Sequence, residues 1–549
     1  TMGNDENWQK THRLGGRLQV ACGVLMLVSV LFPVKVMIYM VFVVKRDLQM
    51  LQQNSYRNER YKKWLDMNGE YTTTSRMVCM VIGLLLMTSF AQFEWFGVVK
   101  LIVAIALIGM TVSLAKKKYK HSLVFTKRVW RLCVSELALI AVVSVLFSAG
   151  SLNGIAFAFV AFSAFSYVVT MFTNWILKPV ESAINKTYYN DAKRILSQMP
   201  HMKIIGITGS YGKTSTKHYL NRILSEHFSV LMTPGSFNTP MGVIRTVREM
   251  LQPYNEVFIV EMGAKNVGDI KEICDLVKPE MGIITAVGPQ HLESFKTIEN
   301  VQSTKFELVD SLPANGFAVL NNDFEYVANR EVKNVETRRY AVNASIDADY
   351  HAEDIKYSAA GTTFTVVGEG KRIELSTKLI GECNISNLMG AVIIAMKLGV
   401  PEAKIKYAVS KIAQVEHRLN MKRTPAGIVI IDDAFNSNPD GSRMALDVLG
   451  SMTGGKRIVV TPGMIELGDK QDFYNRKFGE HIAETCDVAI IVGKYNRESI
   501  VSGIKSMGWV EGEKLYVVDS FNEAQAVLSR IAAAGDTVLY ENDLPDTFK

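Results

Sequence analysis

Apolar positions follow two rhythms along this chain. Up to about residue 177 they gather in long unbroken runs: 18–44, 77–93, 97–115, 132–149 and 153–177. Runs of roughly 20 residues, at about 1.5 Å per residue, are long enough to cross a bilayer. The first run, interrupted by Pro33 and Lys35, is read as one tilted span or a re-entrant hairpin. Beyond residue 200 the apolar stretches shorten, as at 257–260 and 283–287, and alternate with helical patterns. That alternation predicts parallel α/β sheets. Between the two regimes Val180, Ile184, Tyr188, Ala192 and Ile195 stand at helical spacing, and Pro200 closes the segment. The pattern predicts an all-α multi-span membrane domain at 1–177, a linker helix at 178–200, and α/β domains at 201–413 and 414–549.

Charge sharpens the division. Residues 1–200 carry 23 Lys+Arg against 10 Asp+Glu, a net of +13, and the remainder carries a net of −6. The basic residues flank the apolar runs, which favours a membrane surface over nucleic acid. Basic loops at 45–76 and 116–131 should face the cytoplasm, with the links at 93–97 and 148–153 outside. The chain should then re-enter near Lys178, which would place residues 178–549 on the cytoplasmic side. Lys35, Glu94, Lys100 and Glu136 sit near run ends or a kink, where snorkelling is expected to serve them, with contact to a lipid head group as the alternative. Six well-separated cysteines, none in a CxxC pair, argue against a zinc site or a disulfide framework. Across all 549 residues the mean hydropathy is +0.11, between the values of soluble enzymes and transporters.

One short segment carries recognisable chemistry. Lys203–Tyr219 reads as a strand, a glycine-containing loop and a helix, the context a phosphate-binding loop requires. Gly209 and Gly212 let backbone N–H groups approach phosphate oxygens, and the helix N-terminus adds positive potential. Lys213 supplies a charge for the β/γ phosphates, and the Thr214 hydroxyl can ligate Mg²⁺. The usual GxxxxGK[ST] pattern wants glycine where Ile207 stands.

The shorter form, Thr208-Gly209-Ser210-Tyr211-Gly212-Lys213-Thr214-Ser215, resembles the ATP loop of the Mur ligase family, most of all its tripeptide:D-alanyl-D-alanine ligase branch. Further blocks follow in that family's order. Gly235–Gly242 is similar to a substrate-side loop, with Asn238 and Thr239 as candidates. Val257–Ala264 presents Glu261 at a strand end, where the family binds Mg²⁺. His291-Leu292-Glu293-Ser294-Phe295 resembles a segment whose histidine helps to hold a second Mg²⁺. Lys305 stands where similar enzymes carry a carbamylated lysine, an anionic oxygen ligand suited to Mg²⁺. Gly381–Asn387 resembles a G-x-H-N-x-x-N motif whose asparagines, here Asn384 and Asn387, approach adenine; Cys383 replaces the histidine. His417-Arg418-Leu419 resembles a G-R-[LMF] motif whose arginine reaches the ATP phosphates. Asp433 lies in a block similar to the ribose-holding turn, and Thr461–Gly468 resembles the next strand-end loop.

The resemblance covers roughly 203–540 and implies a P-loop central domain, a Rossmann-like C-terminal domain, ATP and two Mg²⁺. It implies ATP-dependent amide-bond formation through an acyl phosphate, with Lys213, His291, Lys305 and Arg418 as the catalytic set. Thr208, Gly209, Ser210, Gly212, Thr214, Ser215, Asn384, Asn387, Arg418 and Asp433 would bind the nucleotide; Thr214, Glu261, His291 and Lys305 would hold metal. Two departures matter. Membrane runs stand where the family has its UDP-binding domain, and the C-terminal ending Tyr540–Asp546 lacks the family's basic residues. The acceptor is therefore expected to be a lipid-linked or UDP-linked envelope precursor, joined to an amino acid or small amine, with no nucleic-acid partner. The membrane part could also bind a protein partner. A polyglutamate-type capsule synthetase and an ATP-driven transport component are the alternatives; no second P-loop or LSGGQ run favours the latter.

Overall fold

The computed structural model describes residues 37–69, 76, 96–116, 121–148, 152–358, 361–435 and 437–544. Most of the 18–44 run, the 77–93 run, Lys35 and Glu94 lie outside the described residues. The chain divides between Ile184 and Asn185 into two compact units.

The first unit is helical. Helices cover 37–53, Asn58–Met67, Phe96–Lys116, Lys127–Ser148 and Leu152–Ala164. Among the described residues, one helical segment, Lys127–Leu146, is by itself long and apolar enough to cross a membrane. A second candidate is the pair Ala158–Ala164 and Ser166–Ser197, bent by 82°. On the first, Trp130, Val134, Leu137, Val142 and Val145 are exposed at helical spacing, an apolar face turned outward. The inner side packs Leu48, Leu51, Tyr61, Trp64, Val129 and Leu132. The two basic loops meet: Gln49 donates to the His121 carbonyl at 2.6 Å, and Gln52 to that of Val124 at 2.9 Å.

Two expectations change here. The last apolar run is broken near Phe165, and its second part continues with the linker segment in one helix, Ser166–Ser197, which passes through Pro179. Proline removes a single helical donor, and the apolar pattern, which ends near 177, marks a change of surroundings and not a helix end. Glu136 does not snorkel: it is 1% exposed and packed inside the helical unit.

The second unit holds two sheets. Nine strands form the first: β1 (Lys203–Thr208), β2 (Val230–Met232), β3 (Val257–Glu261), β4 (Met281–Ile284), β5 (Phe317–Asn321), β6 (Glu336–Ala341), β7 (Tyr350–Ser358), β8 (Gly361–Gly368) and β9 (Lys371–Thr377), in the order β2-β3-β1-β4-β5-β6-β7-β8-β9. Pairing is parallel as far as β7 and antiparallel across β8 and β9. The second sheet contains β10 (Asn420–Arg423), β11 (Val429–Asp433), β12 (Arg457–Thr461), β13 (Val488–Val492), β14 (Leu515–Val518) and β15 (Thr537–Glu541), ordered β10-β11-β15-β12-β13-β14. Only β10 is antiparallel there. The parallel α/β expectation therefore holds for both cores, with antiparallel additions that alternation alone did not announce.

Register fixes where chemistry can occur. Ile207 pairs with Glu261 and Thr208 with Ile284, so β1, β3 and β4 end together. Asp433 pairs with Glu541 at the matching end of the second sheet. Ligands of open α/β sheets bind beyond such carboxyl ends.

Candidate active site

The loop after β1 turns under close constraint. Gly212 has φ +78°, and a Cβ there would stand 2.3 Å from Asn387 Oδ1. A Cβ on Gly209 would stand 2.1 Å from Thr285 Oγ1. Only glycine fits at either point. Thr208 Oγ1 donates to the Met262 carbonyl at 2.9 Å, and Ser210 Oγ to that of Gly288 at 3.0 Å. These bonds fix the loop against β3 and β4. The helix Lys213–Leu224 starts directly behind it, and Ser215 is buried on its inner side. Lys213 Nζ folds back onto the Gly209 carbonyl, 2.7 Å away. Burial, with Arg418 nearby, lowers its pKa to about 8, against the pull of Glu261.

Glu261 ends β3 within reach of that helix. Its Oε1 accepts from Thr214 Oγ1 at 3.2 Å and from Asn238 Nδ2 at 3.1 Å. Its Oε2 faces Lys217 Nζ at 2.9 Å, and neither side chain is more than 1% exposed. Burial pushes the carboxyl up; the Lys217 and Lys213 ammonium groups outweigh it and hold the group below the usual value. Lys217 also donates to the Gly235 carbonyl. Sequence reasoning did not find Lys217. The available signal was its spacing, four residues past Lys213 and so on the same helix face.

Lys305 is 1% exposed on the helix Ile298–Asp310, and among the described residues no hydrogen bond or ion pair reaches its ammonium. Burial, with Lys213 nearby, lowers its pKa to about 7. His291, at φ +52°, pairs through Nδ1 with Glu466. Burial pulls the imidazole down and Glu466 pulls it back up. Glu466 Oε1 also takes Lys265 Nζ at 3.2 Å, and its carbonyl accepts the Glu293 N–H. The Thr461–Gly468 loop of the second sheet is thus docked on the first sheet's His291 segment. Glu466 and Lys265 carried no role in the sequence reading.

Arg418 is stacked on Phe435, with its guanidinium carbon 4.4 Å from the ring centroid. Burial lowers its pKa, and Asp433 and Glu261 oppose that. Asp433 accepts the Leu419 N–H at 3.1 Å. Burial raises its carboxyl to about 6 despite Arg418. His417 has φ +57°, a conformation natural to the glycine of the resembling motif, and pairs with Asp432 at 2.8 Å. A cleft of about 580 Å³ opens here, lined among others by Thr214, His218, Gly235, His417, Arg418 and Phe435.

Lys213, Thr214 and Glu261 therefore lie together beyond the end of β1, with Arg418 in electrostatic reach of Lys213 and Glu261 and paired to Asp433. Lys305 is in reach of Lys213 and of His291, whose own bond goes to Glu466. Other candidates have local work. Asn384 accepts the Tyr219 hydroxyl at 2.7 Å and donates to the Ile380 carbonyl. Asn387 covers Gly212 and accepts from Thr216 at 3.2 Å. Thr239 caps the helix Pro240–Met250. Cys383 is a half-buried thiol that desolvation pushes up to about 12, unsuited to replace an imidazole. Among the described residues no three His, Cys, Asp or Glu side chains converge. The donors at hand, the Thr214 hydroxyl and the buried Glu261 carboxylate, are the hard oxygens Mg²⁺ prefers.

The similarities to known proteins show an ATP-dependent, ADP-forming amide ligase that carries Mur ligase domains. Residues 207–395 match the Mur ligase middle domain, and residues 417–540 the Mur ligase glutamate ligase domain. Residues 1–45 match the SdpI/YfhL protein family. Mur ligases use ATP and Mg²⁺. Among the chain's relatives is the UDP-N-acetylmuramoyl-tripeptide–D-alanyl-D-alanine ligase of Bacillus subtilis, 27% identical over 62% of this chain and 72% of that one. The Haemophilus influenzae enzyme of the same name is 28% identical over 55% of this chain and 65% of its own length. MurF from Acinetobacter baumannii shares the fold at a TM-score of 0.60 with 24% identity, covering 65% of this chain and 77% of that one. MurF ligase from Thermotoga maritima in complex with ADP gives 0.58 with 23% identity, covering 65% and 80%.

Proposed function

We propose that this chain is a membrane-anchored ligase that activates an acceptor carboxylate with ATP and couples it to an amino acid or small amine, in the assembly of a bacterial envelope precursor. The observation that carries this reading is the meeting of Lys213 from one sheet with Arg418 from the other beside Glu261. ATP enters the cleft with its nucleoside against Phe435 and Asp433 and its phosphates on the loop N–H groups. An acceptor carboxylate oxygen attacks the γ-phosphorus, the bond to ADP breaks, and an acyl phosphate forms. The amine then attacks the acyl carbon, loses a proton, and phosphate departs. Lys213 and Arg418 hold the charge spread over the transferring group, where positioning and electrostatics do most of the work.

Thr214, Glu261, His291 and a carbamylated Lys305 would hold two Mg²⁺, which neutralise the phosphate charge when bound. Lys305 suits that modification: it is buried, burial and Lys213 outweigh the pull of Asp269 and Glu307, and about half of it is neutral at pH 7. Its neutral amine takes up CO₂ and releases a proton, leaving an anion where the site otherwise has an excess of cations.

The outward apolar face of Lys127–Leu146 and the SdpI/YfhL match support a multi-pass anchor in the cytoplasmic membrane, with the catalytic unit in the cytoplasm. An anchored site would favour a lipid-linked acceptor over a soluble UDP-linked one. The test is phosphate release by the detergent-purified full chain with each acceptor. Acceptor-dependent release with the lipid form supports the reading. Release with the UDP form alone would leave the ligase and remove the lipid acceptor.

A further inference from the structure

The helical unit contains a buried polar cluster that amide-bond formation does not use. Asp47 and Arg76 form one part of it, with Arg76 Nη2 3.1 Å from Asp47 Oδ1. Arg76 also donates to Ser166 Oγ at 3.0 Å and to the Ala164 carbonyl, and Ser166 donates to Asp47. These two charges cancel. Glu136 is the remainder. One of its oxygens accepts the Thr173 hydroxyl at 3.4 Å. Among the described residues the other, Oε2, has no hydrogen-bond partner, and neither the Thr170 hydroxyl, which lies beside Glu136, nor the Tyr61 hydroxyl, which faces Asp47, makes a bond of standard geometry. Glu136 and Tyr61 are both within 1% of complete burial.

Among the described residues, the groups facing Glu136 come from four helices. Asp47 lies on the helix 37–53, Tyr61 on Asn58–Met67, Cys133 on its own helix, and Thr170 and Thr173 on Ser166–Ser197. Among the described residues, with Asp47 matched by Arg76, the cluster carries one unbalanced negative charge beside hydroxyl oxygens able to coordinate a cation. An anchor needs no such group, because an ionised carboxylate inside a membrane is costly unless something neutralises it. A divalent ion would overcompensate and calls for six or more oxygens.

We infer that Glu136, with Thr170, Thr173 and Tyr61, forms a binding site for one monovalent cation, either a proton or an alkali ion. The site makes the helical unit an ion-responsive element as well as a tether. It rests on that unit lying in the membrane and is independent of the ligase reading.

The test is the melting temperature of the detergent-purified full chain at constant ionic strength. Sodium chloride is exchanged for potassium or choline chloride, and each series is repeated from pH 5.5 to 8.5. A rise of several degrees with sodium or potassium over choline, absent in Glu136→Gln, identifies an alkali ion. A rise on acidification alone, absent in Glu136→Gln, identifies a proton. Equal responses in wild type and Glu136→Gln overturn the inference. Should Glu136→Gln fail to fold, Thr170→Val takes its place: a weakened response supports the site and an unchanged one overturns it. No nucleotide enters the readout, so failure here leaves the ligase assignment standing.

Discussion

Lys217 Nζ stands 2.9 Å from Glu261 Oε2, and protein encloses both side chains. The pair joins the P-loop helix to the end of β3, and the second Lys217 bond, to the Gly235 carbonyl, extends the tie to the loop that carries Asn238. Removing one partner strands the other charge in the interior, which typically costs about 3–5 kcal/mol. Lys217→Met is therefore expected to lower the unfolding free energy of the catalytic unit by about that amount. Lys217→Met combined with Glu261→Gln should lose less than the two single changes added together. Denaturant unfolding of the four proteins checks this as a double-mutant cycle; additive losses would mean the pair carries no coupling.

Lys213 contrasts with its neighbour. Among the described residues its ammonium bonds only carbonyls of its own loop, those of Gly209 and Ser210. Lys213→Ala should leave the melting temperature nearly unchanged. Acceptor-dependent phosphate release should fall on the order of 10²–10³-fold, the usual cost of deleting one preorganised charge-stabilising donor. Comparable losses in melting temperature and turnover would point to a structural lysine.

Lys305 is expected to respond to both CO₂ and pH. Its lowered pKa, about 7, means the amine is largely neutral above pH 7 and protonated below it. Only the neutral amine reacts with CO₂, so carbamate should accumulate as pH rises through 7. With ¹³C-bicarbonate, a carbamate resonance should appear at pH 8, fade by pH 6, and be missing in Lys305→Arg. Its absence from wild type at pH 8 would remove the carbamate from the account.

Glu541 makes the C-terminal sheet sensitive to pH in the opposite sense. Ser442 donates to it at 2.7 Å and Thr461 at 2.9 Å, and Ser437 donates as well. Burial nevertheless raises its carboxyl to about 7, above the usual 4.5. The folded state then binds more protons than the unfolded one between those values. Stability falls as pH rises from about 4.5 to 7 and levels off above, a change on the order of 3 kcal/mol. Hydrogen-exchange protection of β15 should show this slope, and Glu541→Gln should flatten it.

Much of the site could be read from the chain because its chemistry demands residue types at fixed spacing. The glycines at 209 and 212 are required by sterics, and Glu261 was visible as an acid closing an apolar strand. Lys217 was hidden because a lysine on a helix is ordinarily solvated, and only the fold reveals that this one points inward. Asn384 was legible as a motif member, but its engagement with Tyr219 depends on how two distant helices pack. Glu136 looked like a residue at a run's edge; the packing of three other helical segments around it decides that it is buried. The antiparallel strands β8 and β9 and the strand β10 escaped a reading built on alternation, since period alone does not fix strand direction.

The central claim is that the acceptor carboxylate becomes an acyl phosphate. Both carboxylate oxygens of the acceptor, lipid-linked or UDP-linked, can be labelled with ¹⁸O and turned over with ATP, Mg²⁺ and amine by the full-length protein. One labelled oxygen should then appear in each inorganic phosphate released, because the oxygen that attacks the γ-phosphorus leaves with it when the amine displaces phosphate. Phosphate released without label, at the same rate with or without amine, would contradict the account and describe an ATPase.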